Sequence, residues 1–253
     1  MSLRHHAAAL VLILFAAPAF PAAAQQAVGS GRDVGTGPMT PAYLLVMGSS
    51  TNAEAMGRYA RTLPPIYREF GGSYVALGGV GRGLKVLEGD FPWQSLVLAS
   101  FKDPRGPNRF WWSPQYRASV EIRRGAGTFN VVTLPGISGN GDRPAGRPAY
   151  LITIAAANDP AQARQQAAAV LPLLRATDAR LIAGGRREDI ELLEGEFGNL
   201  AIDVLQFPSM AALERFHADP AYREQAALRR QASVYTVLAI ESFVPPNGPP
   251  ATE

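Results

Sequence analysis

Two pairs of carboxylates stand out along the 253-residue chain: Glu88 and Asp90 in KVLEGDF (85–91), and Glu194 and Glu196 in ELLEGEF (191–197). A glutamate held in a cleft with a raised pKa serves as a general acid or base. The duplicated arginines Arg123 and Arg229 suit the carboxylate of a small ligand. The same residues have a plainer reading. Gly89 and Gly195 then take positive φ at a turn, Phe91 and Phe197 tuck into the core, and the arginines end helices or pair with the turn glutamates. Tyr116 and Tyr222 either project hydroxyls into a cleft or anchor the core with a wet tip. Trp111 and Trp112 either wall a flat ligand or cover an end of the fold left bare. His217 is a base or a satisfied surface ring.

Other chemistries drop out. There is no cysteine, which removes thiol catalysis and thiolate metal sites. Of three histidines, His5 and His6 sit at the extreme N-terminus, leaving only His217 in the body of the chain. Neither a metal nor a cofactor is expected on that ring alone. GGVGRG (78–83) has no following Lys-Ser/Thr pair and no helix, so it reads as a hairpin turn and not a phosphate loop. The net charge of +3 is not gathered into basic runs, so nucleic acid is not an expected partner.

The N-terminus has the three-part layout of a secretory signal: Arg4-His5-His6, an apolar run from Ala7 to Phe20, and small Ala22 and Ala24 before Gln25. Cleavage after Ala24 is expected, giving a periplasmic or secreted protein with no stable membrane anchor, since the run is too short for a permanent span.

The elements that would position the candidate residues come in two sets. PAYLLVMGSS begins at Pro41 and PAYLITIAAA at Pro148. From Gly78 to Leu134 the chain aligns without a gap on Gly184 to Ile240, with 16 identities in 57 pairs. The shared order of motifs indicates duplication. The expected organisation is a signal peptide (1–24), a flexible lead-in (25–40), a first repeat (41–134), a Gly/Pro-rich linker (135–147), a second repeat (148–244) and a disordered tail (245–253). Each repeat reads as strand, helix, strand, strand, helix, strand. In the second, Ser209 caps a helix and Asp219-Pro220 opens another. In the first, two prolines and a glycine in DPRGPNRFWW (103–112) should break or shorten the matching helix. A β-α-β-β-α-β unit leaves one sheet face bare, so the two sheets are expected to pack face to face as an intramolecular pseudo-dimer.

The series Ala-Tyr-Leu in the first strand, LPPI in the first helix, Gly-Gly after the second strand, LEGDF, the phenylalanine ending the third strand, SPQYR and Arg123 resembles the domain of unknown function 1330 family. The resemblance covers nearly all of 41–134 and again 148–243. It implies an α+β fold of the dimeric α+β barrel superfamily: two ferredoxin-like repeats packed sheet to sheet within one chain. Members of the family usually pair as homodimers, so this chain looks like a fused pair, with higher oligomers left open. Relatives in the wider superfamily include cofactor-independent monooxygenases, muconolactone isomerases and haem-handling proteins that use the cleft between sheet and helices; that kinship does not assign chemistry.

Three readings follow. One is an exported binding protein that holds a small, partly apolar or carboxylate-bearing ligand near Glu88, Trp111, Trp112, Tyr116, Arg123, Glu194, His217, Tyr222 and Arg229. Another is a cofactor-independent enzyme, isomerase or monooxygenase-like, using a cleft carboxylate or His217. The last is a structural or interaction protein.

Overall fold

The computed structural model describes residues 40–137, 146–157, 160–198 and 200–243. The expected signal peptide, nearly all of the lead-in, most of the linker and the tail lie outside the described residues, as does the Asn158-Asp159 cap.

The first half contains β1 (Ala42–Ser50), α1 (Ala53–Glu69), β2 (Gly72–Val80), β3 (Gly83–Glu88), β4 (Ser95–Phe101), α2 (Gly106–Trp111), α3 (Pro114–Val120) and β5 (Gly127–Pro135). The second contains β6 (Ala149–Ala157), α4 (Pro160–Arg175), β7 (Arg180–Gly185), β8 (Glu191–Glu194), β9 (Ala201–Phe207), α5 (Met210–Ala218), α6 (Pro220–Ala232) and β10 (Ser233–Glu241). Local signals set these bounds. The Asn52 side chain accepts a hydrogen bond from Ala55 N at the start of α1, and Ser209 accepts one from Ala212 N at the start of α5. Ala55, Tyr59, Leu63, Ile66 and Tyr67 of α1 recur at helical spacing and are buried, which presses one face of that helix on the sheet. The prolines and glycine of 103–112 do shorten their helix: α2 has six residues where α5 has nine.

The strands form one sheet in the order β7-β9-β6-β10-β3-β2-β4-β1-β5-β8. Here the structure corrects the picture of two self-contained sheets. β3 leaves its own half after the turn at Gly81–Gly83 and pairs antiparallel with β10, placing Leu84 opposite Ile240. β8 does the reverse and pairs with β5, placing Leu192 opposite Val132. The sheet curls back on itself, because Gly136 after β5 bridges Ala183 of β7 and Ile137 N donates to Ile182 O at 2.9 Å.

Three apolar cores result. The central one lies between the half-sheets and takes Tyr43, Leu45 and Leu98 from the first half with Tyr150, Ile152 and Val204 from the second. The other two lie between each half-sheet and its own helices, one around Phe101, Phe110 and Trp111, the other around Phe207, Phe216 and Tyr222. The curled sheet thus gathers side chains of both halves into one central core, and the exchanged strands join the halves. Burying each large side chain contributes roughly 1.5–3 kcal/mol before the entropy of ordering it is subtracted.

Candidate functional site: two cross-half clusters and a seam cavity

β3 ends at Glu88, and Gly89 then turns the chain with φ 71°. A Cβ at Gly89 would stand 2.0 Å from the carbonyl oxygen of Tyr235, so only glycine lets the turn lie this close to β10. The Glu88 carboxylate thereby reaches the helix side of the second half. Its Oε1 accepts from Tyr222 Oη at 3.1 Å, meets His217 Nε2 at 3.1 Å and lies 3.4 Å from an Arg229 terminal nitrogen. Its Oε2 accepts from Tyr235 Oη at 2.8 Å. Helix geometry assembles the partners. Asp219 Oδ1 accepts from Ala221 N at 2.8 Å and fixes the start of α6, so Tyr222 and Arg229, two turns apart, share one face. Arg229 also donates to Tyr222 Oη at 3.0 Å, and its guanidinium carbon lies 4.5 Å from the centroid of the Tyr235 ring.

Only 6% of the Glu88 side chain is exposed. Burial pushes its pKa up, but the bonds from His217 and Tyr235, the Arg229 charge and the Tyr222 hydroxyl outweigh it and hold the carboxyl at about 2. Burial pushes the Tyr222 hydroxyl up to about 12. Glu88 is thus a fixed anion and a poor proton acceptor. What it can do is orient His217, whose ring keeps 23% of its side-chain surface open and has no partner at Nδ1 among the described residues.

The mirror cluster lies at the end of β8. Gly195 has φ 84°, and a Cβ there would stand 2.0 Å from Asn130 Oδ1 and 2.3 Å from Phe129 O. Glu194 takes two parallel hydrogen bonds from Arg123, at 2.8 and 2.5 Å. The guanidinium carbon lies 4.2 Å from the centroid of the Phe129 ring and 5.3 Å from that of Tyr59. Tyr116 Oη pairs with Tyr59 Oη at 2.9 Å. Burial opposes the Arg123 charge, but the bonds to Glu194 and the neighbouring Tyr59 and Tyr116 keep its pKa above the usual arginine value.

Each candidate glutamate therefore pairs with the candidate arginine of the opposite half, and both tyrosine tips are dry where wet ones were expected. The clusters differ at two matched positions. Trp111 stands where the second half has His217, and Phe129 stands where it has Tyr235. Trp111 is buried against Tyr116 at a ring separation of 4.8 Å, while Trp112 is 62% exposed, its ring 5.4 Å from Arg117. Sequence reasoning passed over Tyr235, though alignment on Phe129 marks it as a place where the copies diverge.

None of the nine candidate residues lines either of two cavities found among the described residues. The larger, about 480 Å³, opens at one end of the central core on the seam between the halves. It is walled by Tyr43, Tyr74 and Phe101 of the first half and by Tyr150, Ile182 and Gln206 of the second, with Arg68 and Lys102 at its rim. Burial, with the neighbouring Tyr150, raises the Tyr43 hydroxyl to about 12, so it stays protonated and able to donate. Tyr150 Oη accepts from Gln206 Nε2 at 3.3 Å, and Gln206 Oε1 accepts from Arg180 at 3.1 Å. A groove of about 400 Å³ on the far side of Gln206 runs past Asp178 and Arg180 to Pro208. The sequence signal for this site was the repeated Pro-Ala-Tyr-Leu at 41 and 148, which reads as an ordinary buried strand.

The family model described as "Domain of unknown function (DUF1330)" matches residues 41–137 and again 148–243. The chain belongs to this family. Its two DUF1330 segments coincide with the two halves of the fold, each carrying one Glu-Gly turn and one of the paired arginines. Solved structures with some likeness to this DUF1330 chain include a putative monooxygenase from Lactobacillus acidophilus, 14% identical, covering 85% of this chain and 100% of that one, at a TM-score of 0.46. Another is a protein of unknown function from Rhodopseudomonas palustris, 21% identical, covering 39% of this chain and 84% of that one, at a TM-score of 0.33. A haem-binding protein from Thermus thermophilus is 10% identical, covering 80% of this chain and 91% of that one, at a TM-score of 0.39. No curated protein matches the chain.

Proposed function

We propose that this DUF1330 protein is an exported small-molecule-binding α+β barrel, two ferredoxin-like repeats fused so that one chain supplies both walls of its ligand site. The observation that carries the reading is the seam cavity. Its volume of about 480 Å³ falls within the range usual for ligand pockets, and it is walled by apolar rings with a few buried polar groups from both halves. The two Glu–Arg clusters then act as clamps. They satisfy one another's charges across the exchanged strands and hold the two walls in register, which is the support a preformed pocket requires.

Native mass spectrometry of the protein purified from its exporting host tests this directly. A retained small molecule is expected in the wild type and not in Ser73→Trp, which places a large ring at the exposed edge of the cavity. No retained molecule, together with no thermal shift across a broad metabolite panel, would sink the reading. N-terminal sequencing of the same material tests export: the mature chain should begin at Gln25.

One observation favours a second reading, a cofactor-independent enzyme of isomerase or monooxygenase type. His217 is held at Nε2 by the Glu88 carboxylate 3.1 Å away, an arrangement suited to a general base whose other nitrogen faces a substrate. The two readings separate on His217→Asn. The binding reading expects retention of the molecule to be unchanged, and the enzyme reading expects its conversion over time to stop.

A further inference from the structure

The chemistry of the seam cavity narrows what it holds; this step rests on the binding reading above. The side chains that line it include the cations Arg68 and Lys102 and no carboxylate. Neither cation makes an ion pair with a described residue, whereas the arginines of the two clamps are neutralised by their glutamates. Deeper in, Tyr43 is 5% exposed, and its hydroxyl has no hydrogen-bond partner among the described residues although it borders the cavity. A hydroxyl donor that borders the cavity without a protein partner is available to a ligand acceptor. Arg180 lies close enough to act on Tyr43 through its charge, and it donates to Gln206 Oε1. Tyr74 and Phe101 on one side and Tyr150 and Ile182 on the other supply flat and aliphatic surface, beside the polar Ser73, Ser100 and Gln206. The acid Asp178 lines the neighbouring groove beyond Gln206.

We infer that the cavity takes a small aromatic carboxylate, its anionic head accepting a hydrogen bond from Tyr43 and its ring lying between the first-half aromatics and Ile182. The rim cations draw the anion in, so affinity falls as salt rises. The Tyr43 bond, charge-assisted once the ligand is seated, sets the preference for a carboxylate over a neutral group of the same shape.

Isothermal titration of the full mature chain with three probes tests this: 2-naphthoate, the uncharged isostere 2-naphthamide, and inorganic phosphate. The naphthoate should bind roughly tenfold or more tightly than the amide, as expected for a hydrogen bond to a charged group. Phosphate should show no binding at the same concentrations. Tyr43→Phe should reduce the preference for naphthoate over amide to within a few-fold, and Ser73→Trp should abolish both. Equal binding of naphthoate and amide, both lost in Ser73→Trp, would overturn the carboxylate preference while leaving a ligand cavity in place. Phosphate binding as tightly as naphthoate would overturn the aromatic requirement. If neither aromatic probe binds, the inference fails, and the retained-molecule experiment decides the cavity separately. An unchanged preference in Tyr43→Phe would remove that residue from the argument.

Discussion

Glu194 and Arg123 stand 71 positions apart, in different halves, and meet through two hydrogen bonds of 2.8 and 2.5 Å. Arg123 keeps only 5% of its side chain exposed and Glu194 keeps 32%, so the pair is neither a surface bridge nor fully dry. Removing one partner strands a largely buried charge. Glu194→Ala and Arg123→Ala should each cost about 2–4 kcal/mol in denaturant unfolding. The double variant should cost less than the sum by about 1–2 kcal/mol. Strict additivity would show that the two residues do not act on each other.

The Glu88 cluster predicts an acid-sensitive clamp. The carboxyl titrates near 2 in the folded chain, against an ordinary value of 4.5. A depressed carboxylate pKa contributes stability that is fully present above pH 4.5 and is lost as pH falls toward 2, on the order of 3 kcal/mol in all. Glu88→Gln keeps the shape and removes the titration. Urea unfolding measured from pH 7 down to pH 3 should show a shallower decline in the variant than in the wild type. Parallel curves would mean that the cluster does not hold the carboxylate as described.

Gly89 makes a sharp comparison with Gly71. Both have positive φ, 71° and 68°, yet a Cβ at Gly89 would sit 2.0 Å from Tyr235 O while one at Gly71 would meet nothing within 4 Å. Gly71→Ala should therefore cost only the conformational strain of about 1–2 kcal/mol. Gly89→Ala must in addition push β3 away from β10, and should lose at least about 2 kcal/mol more, seen as a lower thermal midpoint. Equal losses at the two sites would remove close approach as the reason for the glycine.

The contrast between these residues explains what could be read in advance. The duplication, the element order, the shortened α2 and the turn at each Glu-Gly follow from local signals: caps, prolines, glycines and apolar periodicity. Strand exchange does not, because β3 and β8 satisfy the same hydrogen bonds and bury the same residue types whichever half they join. Without it the glutamates have no visible partners. Glu88 meets Arg229 across 141 positions, although each member of the pair had been singled out separately. Tyr43 and Tyr150 were hidden for another reason. Their strands are largely buried, and nothing local distinguishes a tyrosine that fills the core from one that borders a cavity.

Asp203 lies in the middle strand of the second half, opposite Thr153 of β6 and Gly184 of β7. It is 4% exposed, and its Oδ1 has no hydrogen-bond partner among the described residues. The first half has Val97 at the matching position, so valine suits this place in the fold. Burial raises the Asp203 pKa to about 8 from an ordinary 3.8. Above pH 3.8 the unfolded chain releases this proton while the folded chain keeps it to about pH 8, so stability is lost as pH rises through that window. Asp203→Val should accordingly be more stable than the wild type, by on the order of 2–4 kcal/mol at about pH 8 and by much less at about pH 4. Chemical unfolding of both proteins at a series of pH values checks this. A difference that stays constant across the series would mean that Asp203 does not titrate in this window, and a less stable variant would mean that its carboxyl is needed by a partner.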